Sequence, residues 1–86
     1  MIKVLKFSSV GCAPCRALKP TFDQVRSLIA DVMYEEIDVD NDPSATIKYN
    51  VRSIPTIIIE KNGQEVHRTK GNMTAAALAT IINSNK

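Results

Sequence analysis

The segment from Ile2 to Ser8 constrains the fold most, because it is apolar on both faces of a predicted strand. Side chains alternate along a strand, so Ile2 and Val4 point to one side, whereas Leu5 and Phe7 point to the other. A strand with two apolar faces is usually central in its sheet and covered on both sides. We therefore expect an α/β fold in which helices pack on both faces of a sheet.

The next part of the chain predicts a helix, a second strand and a short helix. A helix over about residues 13–30 is indicated by apolar positions at i, i+4, i+7 and i+11, which are Leu18, Phe22, Val25 and Ile29. A second strand is expected over 32–40, because a helix that crosses between two strands makes a right-handed parallel unit. Asp42-Pro43 is a good N-cap and first-turn pair for a short helix that ends near residue 49.

The last part of the chain predicts a hairpin and a final helix. The β-branched run 56–60 is typical of a buried strand. Asn62-Gly63 is a strong hairpin signal, so 65–69 should return antiparallel as a charged edge strand. Asn72 or Thr74 then caps a helix to about residue 83, and the full order is βαβαββα. The expected buried stripe of that helix is Leu78, Ile81 and Ile82.

Length and composition exclude several classes of protein. A chain of 86 residues makes one domain, and 44% hydrophobic with 23% charged residues argues against disorder. No apolar run approaches the roughly 20 residues of a membrane span, and the first seven residues lack the features of a signal peptide. The net charge is only +2 and the sequence has no run of basic residues, so it gives no support to nucleic-acid binding. We expect a cytoplasmic protein.

Cys12 and Cys15 are the only cysteines, and a lone CxxC in a reducing compartment is typical of catalysis or metal binding. If Pro14 is an early helix residue, Cys12 lies at the helix start, where free N–H groups and the helix dipole favour a thiolate. Cys12 is therefore the predicted nucleophile and Cys15 the resolving thiol. A structural zinc site usually has four ligands, and His67 is the only histidine, so we expect no metal and no bound cofactor.

Three landmarks together resemble the thioredoxin family over essentially the whole chain. Cys12-Ala13-Pro14-Cys15 is similar to the family's Cys-Gly-Pro-Cys site. Ser53-Ile54-Pro55-Thr56 is similar to its Ile-Pro-Thr segment, whose proline is cis and lies beside the cysteines. Gly71 matches the glycine that flanks the family's substrate groove. The resemblance implies a mixed four-stranded sheet in the order 2-1-3-4, with the first and third helices on one face and the second on the other.

The resemblance also implies a single domain, 1–86, without the usual N-terminal strand and helix, and a set of substrate-binding residues. That set is Gly11, Ala13, Pro14, Ile54, Pro55, Thr56 and Gly71. Ile54 and Thr56 are expected to offer main-chain groups for β-type pairing with an extended substrate. Gly11 stands where the family usually has tryptophan, and Ala13 replaces its glycine, so the substrate contacts must differ there.

Lys6 is the departure with most mechanistic content. Thioredoxins usually carry a buried aspartate beneath the second cysteine and pair it with a lysine on the next strand. Lys6 and Glu36 occupy these positions with acid and base exchanged. Lys6 then either stabilises the Cys15 thiolate or, when neutral, accepts its proton. A plain strand residue whose ammonium reaches water is the alternative.

The predicted function is that of a thiol-disulfide oxidoreductase, which reduces protein disulfides. Its two cysteines form a redox-active centre for electron transport. The resemblance implies disulfide-containing clients such as a ribonucleotide reductase, and electrons from a thioredoxin-reductase-like donor or glutathione. We expect a monomer. A glutaredoxin-like enzyme is one alternative, although Ala13 and Ser53-Ile54-Pro55 fit it poorly. A redox-silent interaction module is the other, and the two cysteines with Pro55 argue against it.

Overall fold

The protein forms a four-stranded mixed sheet with helices on both faces. The computed structural model describes all residues, 1–86. Its elements are β1 (Ile2–Ser8), α1 (Ala13–Leu28), β2 (Met33–Asp38), α2 (Pro43–Lys48), β3 (Thr56–Lys61), β4 (Gln64–Lys70) and α3 (Ala75–Ser84). The strand order is β2-β1-β3-β4, with β1 parallel to β2 and antiparallel to β3. The predicted element order and sheet order are therefore confirmed.

Strand β1 separates two hydrophobic cores. Helices α1 and α3 pack on one face of the sheet, against a cluster that includes Ile2, Val4, Leu18, Phe22, Val25, Ile57, Ile59, Leu78 and Ile82. Helix α2 packs on the other face, where the cluster is Leu5, Phe7, Ile37 and Ile58. The alternation predicted for β1 thus assigns its side chains to the correct cores. No helix of the structure is both long and apolar enough to cross a bilayer.

Some element boundaries differ from those predicted, and local hydrogen bonds give the reasons. β2 ends at Asp38 instead of residue 40, because the Asp38 carboxylate accepts a hydrogen bond from the Asp40 N–H at 2.9 Å and starts a turn. α1 ends at Leu28, and the Tyr34 hydroxyl donates to the Ile29 carbonyl at 2.6 Å just beyond that end. Thr74 is the residue that caps α3.

The hairpin between β3 and β4 lies at the end of the sheet opposite the CxxC loop. Asn62 and Gly63 have φ values of 55° and 83°, the left-handed conformation that a two-residue hairpin turn requires. β4 is an edge strand, as its charges predicted, and its register shifts between Ile59 and Glu60 of β3. Such a bulge changes which side chains of the edge strand share a face.

A buried polar contact fastens the end of α2 to the sheet. The Tyr49 hydroxyl donates to the Glu60 carboxylate at 2.9 Å, and Glu60 is only 8% exposed. Burial, followed by the hydrogen bond to Glu60, raises the pKa of Tyr49 to about 12. The Arg68 guanidinium also donates to the Tyr49 carbonyl at 2.6 Å, so this residue is held by both its side chain and its backbone.

Tyr49→Phe tests this contact through alkaline stability. The folded pKa of Tyr49 lies above its ordinary value of 10.0, so its contribution to stability is complete below about pH 10 and lost as the pH rises towards 12. We expect the variant to lose about 1–2 kcal/mol at pH 8, because Glu60 loses a donor, and to show a smaller further loss between pH 10 and 12. Urea unfolding measures the free energy of unfolding of both proteins across this pH range. If the difference between the two proteins is the same at every pH, the prediction is contradicted.

Candidate active site

The two cysteines form a disulfide at the start of α1. Cys12 is the N-cap residue, and its sulfur accepts a hydrogen bond from the Cys15 N–H at 3.2 Å. Pro14 lies in the first turn, as predicted. Cys12 is half-buried, whereas Cys15 is only 3% exposed. Cys12 is therefore the more accessible of the two cysteines, and the adjacent helix end provides backbone N–H groups that favour its thiolate.

The loop around the disulfide presents an open surface. Gly11, Ala13 and Pro14 are exposed, and a Cβ atom added at Gly11 would meet no atom within 4 Å. One guanidinium nitrogen of Arg16 donates to the Val10 carbonyl at 3.0 Å, which fixes the loop from the helix side. The site beside Cys12 therefore has free space at Gly11.

The Ile54–Pro55 peptide bond is cis, and Pro55 joins this segment to Gly71. The Gly71 N–H donates to the Pro55 carbonyl at 2.9 Å, and Gly71 has a φ of 80°. Only a residue that tolerates the left-handed region suits that position, and glycine does so without strain. The structure thus brings together two of the three segments that the sequence singled out.

Ile54 offers a free backbone edge, whereas Thr56 is enclosed. Neither the N–H nor the carbonyl of Ile54 has a hydrogen-bond partner within the chain. Thr56 is 1% exposed and lies in the sheet between Phe7 of β1 and Lys70 of β4. Its hydroxyl donates to the Ser53 carbonyl at 2.6 Å, so it supports the loop from below. Of the two residues predicted to offer main-chain groups, Ile54 is the one whose groups are free.

Lys6 and Glu36 form an ion pair beneath the CxxC loop. They are register partners on β1 and β2, and the Lys6 ammonium lies 2.9 Å from the Glu36 carboxylate. The Lys6 side chain is 3% exposed, so the interpretation in which its ammonium reaches water is wrong. That ammonium also lies 4.9 Å from the centre of the Phe22 ring, within the range of a cation–π contact. Lys6 is thus a buried cation with two partners.

The same ion pair lines a cavity of about 280 Å³ that reaches Cys15. Its lining residues include Lys6, Ser8, Cys15, Arg16, Glu36 and Asp38. The hydrogen bond from Lys6 lowers the pKa of Glu36, against an opposing effect of burial. A second cation, Arg26, lies 3.7 Å from Glu36. Glu36 is therefore a charged carboxylate at neutral pH and a poor acceptor for a thiol proton.

Arg68 is a supporting residue that sequence reasoning missed. Its guanidinium donates to the Tyr49 and Asn50 carbonyls, at 2.6 and 3.4 Å, just before the Ile54 loop. Glu65 holds the same guanidinium through two contacts of 2.7 and 2.8 Å. Residues three apart in a regular strand face opposite sides, so only the bulge in β4 lets Glu65 and Arg68 meet. The opposite charges of Glu65 and Arg68 were the one feature of the sequence that could have indicated this contact.

Comparisons with known proteins agree with this geometry. The Thioredoxin family model matches residues 1–84. A thioredoxin of Staphylococcus aureus is 32% identical over 84 residues, which covers 94% of this chain and 79% of the relative. Thioredoxin H5 of Oryza sativa subsp. japonica is 38% identical over 68 residues, and the match spans 79% of this chain but half of that relative. The solved structure of Fasciola hepatica thioredoxin superimposes with a TM-score of 0.92 at 32% identity, and covers 99% of this chain and 81% of that one.

The ion pair predicts unequal costs for removing its two partners. Glu36→Gln leaves the Lys6 ammonium buried without a counter-charge and should cost about 2 kcal/mol of unfolding free energy. Lys6→Met leaves Glu36, which is 37% exposed and still close to Arg26, and should cost about half as much. The double variant should be more stable than Glu36→Gln alone. Chemical denaturation at pH 7 provides the test, and equal costs for the two single variants contradict it.

Proposed function

The chain belongs to the thioredoxin family and is a thiol-disulfide oxidoreductase, and we propose that it reduces protein disulfides by cycling Cys12 and Cys15 between dithiol and disulfide. The observation that carries the proposal is the pairing of a half-buried Cys12 at a helix N-terminus with a buried Cys15 in the first turn. In this proposal, residues 1–86 work as a single domain.

The reaction has two exchange steps. The Cys12 thiolate attacks one sulfur of the client disulfide, which breaks that bond, releases one client thiolate and forms a mixed disulfide. The Cys15 thiolate then attacks the Cys12 sulfur and releases the second client thiolate. Two electrons pass to the client, and Cys12 and Cys15 are left as a disulfide. The role of the helix end is to favour the Cys12 thiolate, both as attacking group and as leaving group.

The free edge at Ile54 is the proposed binding site for the client. An extended client segment pairs its main chain with the N–H and carbonyl of Ile54, in the manner of an added strand. Pro55 and Gly71, joined by the hydrogen bond between them, form one wall of this binding site. Gly11, Ala13 and Pro14 form the other wall, where the lack of a large side chain leaves room for the client. Thr56 contributes by supporting the loop.

Lys6 is proposed to act as a fixed positive charge near Cys15. Its ion pair with Glu36 supports the charged form, and a charged Lys6 favours the Cys15 thiolate that attacks the mixed disulfide. The alternative, in which neutral Lys6 accepts the thiol proton, has less support because its partner is a charged carboxylate. The proton of Cys15 then leaves through the cavity that both residues line.

The proposal includes partners and a location that follow from family membership. The clients are disulfide-containing proteins, with a ribonucleotide reductase among them, and neither nucleic acid nor membrane takes part. A thioredoxin-reductase-like protein or glutathione returns the electrons. The protein works as a cytoplasmic monomer.

Serine variants of the two cysteines test the dithiol cycle. With insulin as the disulfide client, we expect Cys12→Ser to abolish reduction and to form no covalent adduct. Cys15→Ser should accumulate a mixed disulfide through Cys12, which mass spectrometry detects, because no second thiol is present to release the client. If Cys15→Ser reduces glutathione mixed disulfides at the wild-type rate and the wild type leaves insulin untouched, the glutaredoxin-like alternative replaces the proposal.

Lys6→Met tests the proposed fixed charge. Loss of the cation should lower the thiolate fraction of Cys15 at a given pH, so the pH profile of mixed-disulfide resolution should move upwards by about one unit. Stopped-flow release of 5-thio-2-nitrobenzoate from Cys12 measures this step. Lys3→Met is the matched control, because Lys3 lies on the same strand and pairs with Glu35 at 3.4 Å. An unchanged profile in Lys6→Met removes Lys6 from the mechanism.

A further inference from the structure

Acidic residues are absent from three segments, which we call the redox segments, that carry the two cysteines, the free edge at Ile54, and Gly71. Residues 9–16, 50–56 and 70–74 contain neither aspartate nor glutamate. The nine acidic residues of the chain are Asp23, Asp31, Glu35, Glu36, Asp38, Asp40, Asp42, Glu60 and Glu65. The charged residues of these three segments are therefore all basic.

Basic residues of the same segments lack ionic partners. The chain has 11 lysines and arginines, and six of them lie within 4.0 Å of a carboxylate. The remaining five are Arg16, Lys48, Arg52, Lys61 and Lys70. Three of these, Arg16, Arg52 and Lys70, belong to the redox segments, and all three are exposed. Unpaired exposed charges project a field that neighbouring carboxylates do not cancel.

We call these three cations the basic rim, and each of them lies next to or within two residues of a residue of the site. Arg16 follows Cys15, and its guanidinium is held on the Val10 carbonyl. Arg52 lies two residues before Ile54, and the two residues line a small cavity of about 180 Å³. Lys70 is the register partner of Thr56 and directly precedes Gly71. The rim therefore flanks both the disulfide and the free edge at Ile54.

Two of the three rim cations lie away from the carboxylates of β2. Glu36 and Asp38 line the cavity below Cys15 together with Arg16, but β1 separates their strand from β3, β4 and the Ile54 loop, where Arg52 and Lys70 lie. Glu36 is paired with Lys6 and Arg26. Asp38 accepts hydrogen bonds from the Asp40 N–H and the Asn41 side chain. The side of the site that carries Arg52 and Lys70 is thus positive.

We propose that the basic rim selects client disulfides that are flanked by acidic residues. The inference rests on the proposed function, because it names the clients of the same site. A client segment paired with Ile54 carries the residues beside its cysteine past Arg52 and Lys70, so carboxylates there are attracted and ammonium groups are repelled. Complementary charge of this kind acts on association rate and on the choice of partner, and salt weakens it.

Three disulfide-bridged peptides test the proposal. They share one sequence and differ only in the residues next to the cysteines, which are glutamate, glutamine or lysine. The rate with dithiothreitol corrects each peptide for its intrinsic reactivity. We expect kcat/KM of the wild type to be about tenfold higher for the glutamate peptide than for the lysine peptide at low salt, and within about twofold at 0.5 M NaCl.

Charge-removing variants locate the effect. Arg52→Gln and Lys70→Gln should each reduce the glutamate-to-lysine ratio about twofold to threefold, and the double variant should bring it close to one. Lys61→Gln is the matched control, since Lys61 is an exposed, unpaired cation at the far end of β3, and it should leave the ratio unchanged. An equal loss in Lys61→Gln overturns the proposal.

Other outcomes separate this inference from the proposed function. If the wild type reduces all three peptides at the same corrected rate, the inference fails while protein-disulfide reduction stands. If it reduces none of them faster than buffer, the proposed function itself fails. Glutathione disulfide, a small acidic disulfide, forms a fourth arm. If the wild type reduces glutathione disulfide faster than the glutamate peptide, and the double variant loses this preference, the assignment to acidic protein segments is overturned.

Discussion

Burial of both faces of β1 is the constraint on which the rest of the structure depends. A central strand with apolar side chains on each side needs helices above and below, and each buried side chain of this kind contributes about 1.5–3 kcal/mol. The same burial leaves little solvent for a polar group in the middle of that strand. Lys6 occupies a position on β1, and the fold therefore has to provide its counter-charge at the same register on β2. The packing of the core and the electrostatics of the site therefore both result from the burial of β1.

The site divides its tasks among separate elements. The start of α1 carries the two sulfurs and the backbone groups that favour a thiolate. The loop before β3 carries the free edge at Ile54, and Arg68 and Gly71 hold this loop from the edge strand and the segment after it. In the proposed function, the sulfur chemistry therefore belongs to the helix end, whereas client recognition belongs to a loop that is held at both sides. Such a separation would let client preference change without altering the sulfur chemistry.

Much of this arrangement follows from sequence patterns that have direct physical causes. Alternation in β1, the helical stripe through Leu18 and Phe22, and the Asn62-Gly63 turn predict the element order. The exchange of acid and base at Lys6 and Glu36 is visible by comparison with the family pattern. The bulge in β4 is not predictable in this way, because no residue in it is a glycine or proline. Its consequence, the contact of Glu65 with Arg68, stays hidden for the same reason. The enclosure of Thr56 depends on pairing with β1, which is distant in sequence, as well as with β4.

The inverted ion pair also has an evolutionary consequence. Thioredoxins usually place an acid where this chain has Lys6 and a lysine on the neighbouring strand. Changing Lys6 alone to aspartate would set two carboxylates side by side at the base of the site, and changing Glu36 alone to lysine would set two ammonium groups there. Both single steps place like charges in a poorly solvated site, so their effects on stability are strongly non-additive. A change from one arrangement to the other therefore costs less stability when both residues change together than when either changes alone.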